Sequence, residues 1–273
     1  MNENLSSIQL AVLDNLKLFD KICRENGLRY FAAGGTALGT VRHQGFVPWD
    51  DDADIAMPRA DYEKLKEVKL PEGIVLKNRI DTLQCAIFMN THKKIRSEIR
   101  EDAHNTEFEY VSVDVHPMDG APSNKFKRVI HTYLWLYYLM MARISDIDKV
   151  VERNSVLKKN RKKWEAAMIK IAYSLRNVFP VNQEKAKTRF CNHIRKYDYD
   201  ESDYVACYVG RYRKKEVVPK EAFGNGKDAP FEDMMIMAGE HPELYLSSIY
   251  GDFMTLPPDS QRECHNFDYV EDC

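Results

Sequence analysis

The stretch from Tyr30 to Tyr62, YFAAGGTALGTVRHQGFVPWDDDADIAMPRADY, decides how this chain is read. Arg29 to Ala33 has the length and apolar content of a buried strand, and it enters a turn at Gly34-Gly35. Thr36 to Arg42 then suits a short helix broken at Gly45. Four carboxylates follow in quick succession, Asp50, Asp51, Asp52 and Asp54, with Asp61 a little beyond. The alternation over residues 52–57 predicts a strand ended by Pro58, and Ala60 to Val68 predicts a helix. Residues two apart on a strand share a face, so Asp52 and Asp54 point together while Ala53, Ile55 and Met57 turn to the core. Two carboxylates on one face repel unless a cation lies between them. Hard oxygen ligands of this kind favour Mg²⁺, with Mn²⁺ as a substitute, over zinc. Asp50 and Asp51 are expected to shape the turn and the local potential.

Outward from that stretch, Ser6 and Gln9 form a capping-box pattern. Ile8, Val12, Leu16, Phe19 and Ile22 or Cys23 recur at helical spacing until Gly27 stops the helix. Ile74 to Lys77, Leu83 to Met89 and His92 to Ser97 predict strands of a meander, and Phe108 to His116 predicts another. In the last, Val111, Val113 and Val115 take one face while Tyr110, Ser112, Asp114 and His116 take the other. Asp114 is therefore the candidate third carboxylate, brought in from a neighbouring strand. A strand, a turn, a helix and then several strands indicate an α/β (α+β) fold with a mixed sheet, not a doubly wound parallel one.

After Lys125 three helical patterns succeed one another: Phe126 to Arg143, a stripe of Trp164, Met168, Ile171, Leu175 and Val178, and one of Ala186, Phe190, Ile194 and Tyr197. The stripe Trp135, Tyr138 and Met141 or Ala142 is expected to be core. Lys158 to Lys163 form a basic run, read as a solvated face or as an attraction to anionic lipid or glycan. Tyr204 to Val209 returns to strand, and a helix starts at Pro242. The expected organisation is a catalytic core over 1–123, a helical insertion over 124–200, and a strand and helix segment over 201–273 that packs back on the core.

The composition, 44% hydrophobic and 30% charged, suffices for a sizeable core and is not that of a disordered chain. A net charge of −2 argues against a nucleic-acid footprint across the surface. The six cysteines are scattered, as free thiols of a reducing compartment would be, and the loose cluster Cys264, His265 and Cys273 fits no metal spacing. MNENLSSIQL has no signal-peptide character, and the apolar run Val129 to Ala142 is shorter than the ~18–20 residues that span a bilayer. The expected location is cytoplasmic.

Three carboxylates around one or two Mg²⁺ ions suit in-line phosphoryl transfer. Gly34 and Gly35 let the backbone approach a phosphate, and Thr36 would open a helix whose N–H groups face it. Arg42 and His43 lie where a cation could balance a departing nucleotide, or are simply helix-end residues. Trp49 suits the core better than a stacked base. Each piece alone is common. Their order, a strand, Gly-Gly, a helix, a DxD strand and a later strand Asp, is specific.

At these residues the chain resembles the LicD family, which includes bacterial phosphocholine transferases and is related to fukutin and fukutin-related protein. The matching pieces are GGTALGTVRHQGFVPWDDDADIAMPRADYEKL (Gly35 to Leu65), VDVHPMDG (Val113 to Gly120), APFEDM (Ala229 to Met234) and LYLSSIYGDFMTLPP (Leu244 to Pro258). Ala238-Gly239 departs from the family pattern, which puts the neighbouring loop and the donor preference in question. The resemblance implies a nucleotidyltransferase fold of the DNA polymerase β type. It also implies transfer of phosphocholine or a similar phosphoalcohol from a CDP-activated donor to a sugar hydroxyl of a cell-surface glycan such as lipopolysaccharide or teichoic acid, with CMP released. On it Asp52 and Asp54 are metal ligands, Asp114 holds the catalytic metal and helps deprotonate the acceptor, and Gly34, Gly35 and Thr36 cradle the diphosphate. A lipid-linked glycan acceptor would bring peripheral contact with the inner face of the membrane. Two alternatives stand beside this: transfer of a whole NMP to a small acceptor, and a non-catalytic nucleotide- or glycan-binding module.

Overall fold

The computed structural model describes residues 5–78, 85–97, 110–147, 181–258 and 267–272, with isolated positions besides. Helix α1 (Ser7–Glu25) starts at the expected capping box. The Gln9 N–H donates to Ser6 Oγ at 3.3 Å, and the Ser6 N–H donates to Gln9 Oε1 at 3.0 Å. Its apolar stripe, Ile8, Val12, Leu16, Phe19, Ile22 and Cys23, is buried. Each such side chain contributes about 1.5–3 kcal/mol when fully withdrawn from water. Asn15, also buried, donates through Nδ2 to the carbonyls of Phe88 and Val111 at 3.3 and 3.4 Å, which fixes α1 across the sheet.

The sheet is mixed. Strand β1 (Phe31–Ala32) runs antiparallel to β2 (Asp54–Pro58), and β2 runs parallel to β5 (Tyr110–Ala121). On the far side of β5 lies β4 (Ala86–Ser97), antiparallel, flanked by β3 (Ile74–Asn78) and β10 (Phe267–Asp272). The end of β5 pairs with β6 (Tyr204–Ala206), which pairs with β7 (Val217–Pro219). A separate hairpin joins β8 (Lys227–Phe231) and β9 (Met234–Ala238). Short helices α2 (Gly34–Arg42) and α3 (Arg59–Leu65) follow β1 and β2.

Two expectations about strands are corrected. Leu83 to Met89 and His92 to Ser97 are not two strands: one strand runs over Ala86–Ser97, with a pairing irregularity between Asn90 and Lys94 in place of a turn. The strand expected to end at His116 continues to Ala121. Its Asp119-Gly120 looks like a turn in sequence. Here the Arg59 guanidinium grips Asp119 through two bonds of 2.8 and 2.6 Å, and the Gly120 N–H donates to Tyr197 O at 2.9 Å, so the backbone stays extended.

Helix α4 (Lys125–Ser145), capped by Asn124, packs on α5 (Gln183–Ile194), capped by Asn182. Trp135, Leu139 and Ala142 meet Phe190, Ile194 and Tyr208 in a small cluster of their own. The opposite face of α4 is exposed at Phe126, Tyr133, Tyr137 and Met140. The stripe from Trp164 to Val178 falls largely outside the described residues, and the run Lys158 to Lys163 wholly so. Helix α6 (Pro242–Tyr250) has proline in its first turn, as read. Its Tyr245, Leu246 and Ile249 share the main core with α1, β1, β2 and β5. No helix among the described residues is long and apolar enough to cross a membrane.

Candidate active site

Parallel pairing sets Asp54 beside Asp114, because the two are register partners across β2 and β5. The Asp114 N–H donates to Ala53 O at 2.9 Å, and the Ala33 N–H donates to Asp54 O at 3.0 Å, so β1, β2 and β5 are tied at this point. Along β5 burial alternates as read, with Val111, Val113 and Val115 inside and Ser112, Asp114 and His116 partly open. Asp52 lies just ahead of β2. Burial first, and then the charges of Asp54, Asp50 and Asp114, hold its carboxyl well above the usual carboxylate range. Four carboxylates therefore act on one another here. Asp50 does shape the turn, through its N–H to Val47 O at 2.8 Å and the Gln9 Nε2 bond to its carbonyl at 2.9 Å. Its side chain also bonds to Asp52 and adds its charge to the local potential, as read. Asp61 is elsewhere, paired with Arg29 at 2.7 Å.

Helix α2 begins at Gly34, two residues earlier than Thr36. Gly34 has φ +49°, and a β-carbon on it would lie 2.7 Å from Asp54 Oδ2. One on Gly35 would lie 2.1 Å from Asp50 Oδ2. Only a backbone without side chains fits so close to two carboxylates. The positive end of the helix faces them, which stabilises anionic charge by about 0.3–1 kcal/mol per group. The Gly34 N–H donates to Tyr245 Oη at 3.2 Å. Thr36 is buried, and its hydroxyl accepts the Asp54 N–H at 2.9 Å. That side chain therefore anchors β2.

Arg42 and His43 lie at the other end of α2, as its last residue and its C-cap. Arg42 donates from Nε to His43 Nε2 at 2.9 Å and from Nη1 to Phe253 O at 2.9 Å, while its Nη2 is buried with no partner among the described residues. Burial and the adjacent Arg42 lower the His43 pKa, so at neutral pH this ring is an uncharged acceptor. The cation expected at two residues thus resides on Arg42 alone. Trp49 packs against the core, with the guanidinium groups of Arg42 and Arg262 at 5.9 and 4.6 Å from its ring centre.

Several neighbours of the cluster were missed or undervalued in the sequence. His116 Nε2 and Asp54 Oδ1 are 3.0 Å apart, and His116 Nδ1 faces Cys85 Sγ at 3.3 Å. Burial opposes charging of this ring, but Cys85 and the Asp54 hydrogen bond together raise its pKa well above the ordinary histidine value. Glu216 is buried in an RKKE run that reads as a solvated charge patch. Burial raises its pKa to about 7, the Tyr212 amide and His116 oppose the shift, and Asp54 adds to it. Tyr212 and Tyr250 stack edge to face at 5.1 Å, and both phenols are pushed up by burial, with Asp54 adding to each. Only the period-two face of His116 hinted at any of these.

Residues 27–137 match the family model described as LicD/FKTN/FKRP, nucleotidyltransferase domain. The chain is 26% identical over 270 residues to a protein of Haemophilus influenzae named lipopolysaccharide cholinephosphotransferase LicD, across 94% of both chains. It is also 36% identical over 63 residues to an uncharacterized protein of Rickettsia prowazekii, across 23% of each. An uncharacterized protein of Rickettsia typhi is 26% identical over 184 residues, or 66% of this chain and 55% of that one.

Proposed function

We propose, from the LicD-family domain carried by residues 27–137, that this protein moves phosphocholine or a similar phosphoalcohol from a CDP-activated donor to a sugar hydroxyl of a cell-surface glycan, releasing CMP. The mixed sheet would then be a nucleotidyltransferase core of the DNA polymerase β type. The observation that carries the reading is the placement of Asp54 and Asp114 side by side, with Asp52 and the Gly34-Gly35 backbone against them.

Asp52, Asp54 and Asp114 would hold Mg²⁺, or Mn²⁺ in its place. The donor set fits: all are hard carboxylate oxygens, and burial with the charges of Asp54, Asp50 and Asp114 raises the proton affinity of Asp52, which calls for a cation. Such an ion, when bound, makes the acceptor hydroxyl more acidic and offsets charge on the leaving phosphate. Asp114 would take the acceptor's proton. His116, bonded to Asp54 Oδ1, keeps that carboxylate from rotating. Arg42 Nη2, without a partner among the described residues, is a donor suited to a phosphate oxygen, and the first turn of α2 offers backbone dipoles for the diphosphate. Contact with a membrane that carries the acceptor is part of the proposal. It is supported by Phe126, Tyr133 and Tyr137 on the open face of α4, beside the exposed Lys125 and Lys127.

The test is a CMP-release screen with CDP-choline, CDP-ribitol, CDP-glycerol and CDP-ethanolamine, with and without magnesium. Magnesium-dependent CMP from at least one donor, with a glycan product heavier by that phosphoalcohol, is expected. A product heavier by a whole NMP, or nucleotide binding with no CMP from any donor, overturns the reading.

A further inference from the structure

The floor of the cluster holds a second kind of donor set. Cys85 Sγ, one carboxylate oxygen of Asp114 and a ring nitrogen of His116 all lie within 4.8 Å of one another. The sulfur and His116 Nδ1 are 3.3 Å apart. A tetrahedral ion with bonds of about 2.3 Å to sulfur and about 2.0–2.1 Å to nitrogen would set those atoms about 3.5 Å apart. The ring is already oriented for that purpose. Its Nε2 is hydrogen-bonded to Asp54 Oδ1, the arrangement by which a carboxylate steers a histidine toward a metal. Cys85 is fully buried beneath, while the side chains of His116 and Asp54 keep 18% and 28% of their surface exposed. The open side would admit a water as the fourth ligand. Sulfur, imidazole and one carboxylate form a softer set than the carboxylates around Asp52, and soft sets select zinc-type ions over magnesium.

We propose that Cys85, Asp114 and His116 form a binding site for a thiophilic divalent cation of the zinc type, and that occupying it withdraws Asp114 from the carboxylate centre. On binding, the thiol proton of Cys85 leaves to solvent, together with the Nδ1 proton where the ring is charged, and Nε2 keeps its proton on Asp54. The loss of transfer that follows rests on the function proposed above; the binding itself does not.

Cobalt(II) titration of the whole protein tests the binding, because cobalt mimics zinc and reports its ligands. One equivalent should give a near-ultraviolet thiolate-to-metal band and the visible bands of a four-coordinate ion. Cys85→Ser should lose the near-ultraviolet band, while Cys191→Ser and Cys207→Ser keep it. Asp114→Asn should keep the band and weaken cobalt affinity by about tenfold or more. A folded wild-type protein with no thiolate band at one equivalent, an unchanged band in Cys85→Ser, or unchanged affinity in Asp114→Asn overturns the site. Should Cys85→Ser not fold, the Asp114→Asn titration decides. Zinc should also inhibit CMP release by the wild type, and about tenfold more should be needed against Cys85→Ser. Equal zinc sensitivity in two active proteins overturns the coupling to Asp114. If no donor yields CMP from the wild type, the proposed transfer fails and the cobalt result still stands or falls alone.

Discussion

Replacing Gly34 by alanine tests the packing of the glycine turn against the carboxylates. At φ +49° a β-carbon costs about 1–2 kcal/mol from the left-handed backbone alone. The new methyl would also sit 2.7 Å from Asp54 Oδ2, where ordinary contact begins at 3.4 Å. The carboxylate must therefore retreat by about 0.7 Å, which pushes Asp54 off its rotamer for about 0.5–1.5 kcal/mol more. The sum, about 1.5–3.5 kcal/mol, corresponds to a fall in Tm of about 3–6 °C at this chain size. Gly27 supplies the control: it has φ +60° and nothing within 4 Å of its hypothetical β-carbon. Gly27→Ala should show the backbone strain and no more. Urea unfolding of both variants, and of Gly34→Ala in an Asp54→Ala background, separates the two contributions, since removing the carboxylate removes the contact. If Asp54 holds the proposed metal, its displacement by most of an ångström should also lower CMP release by about tenfold to a hundredfold in Gly34→Ala. Equal destabilisation at both glycines, the same cost with and without the Asp54 carboxylate, or undiminished turnover would refute this reasoning.

Three further outcomes are expected. Asp52→Asn should abolish CMP release yet raise Tm at neutral pH without added metal. A carboxyl held above its ordinary 3.8 by burial and like charges destabilises the fold as pH climbs past that value, and the amide escapes this; a lower Tm than wild type would contradict it. Glu216, ordinarily near 4.5, is raised to about 7, so the folded protein keeps a proton that the unfolded chain gives up between those values. Stability therefore falls as pH rises through that window and stays lower above it. Glu216→Gln should match wild type near pH 5 and exceed it at pH 8, by up to about 3 kcal/mol, and thermal scans showing no widening gap would refute this. Asp119→Ala strips a two-bond partner from Arg59, whose side chain is only 13% exposed, and should cost about 3–5 kcal/mol in denaturant unfolding. Replacing both residues with apolar ones should cost far less.

Local signals carried furthest where one interaction dominates. The Ser6–Gln9 cap and the apolar stripe of α1 were legible because both depend on residues within a few positions. The face shared by Ser112, Asp114 and His116 followed from the two-residue period of β5. The longer reach of β5 was hidden, because Asp119-Gly120 is held extended by Arg59, sixty positions earlier. The start of α2 was misplaced because glycines disfavour helices, and here they are needed for space against Asp50 and Asp54. Glu216 and Cys85 could not be found by pattern. Their surroundings are assembled by β6, β7 and the edge of β4, far apart in the chain. The turn at Glu232-Asp233 lies in a segment whose one sequence signal was its likeness to a family. Its place became plain from the Glu232 Oε1 bond to the Phe46 N–H at 3.0 Å.

That last contact belongs to a set with a consequence for synthesis. Gly34 is bonded to Tyr245 and Arg42 to Phe253, each across 211 positions, and Phe46 to Glu232 across 186. A nascent chain still holding residues beyond Ile236 inside the ribosome has the carboxylates and Glu232 but neither Tyr245 nor Phe253 to steady the two ends of α2. The bonds from Gly34 and Arg42 can form only once residues through Phe253 have emerged. A protease nick in the loop ahead of Pro242 should loosen these contacts and lower CMP release while leaving Asp52, Asp54 and Asp114 intact.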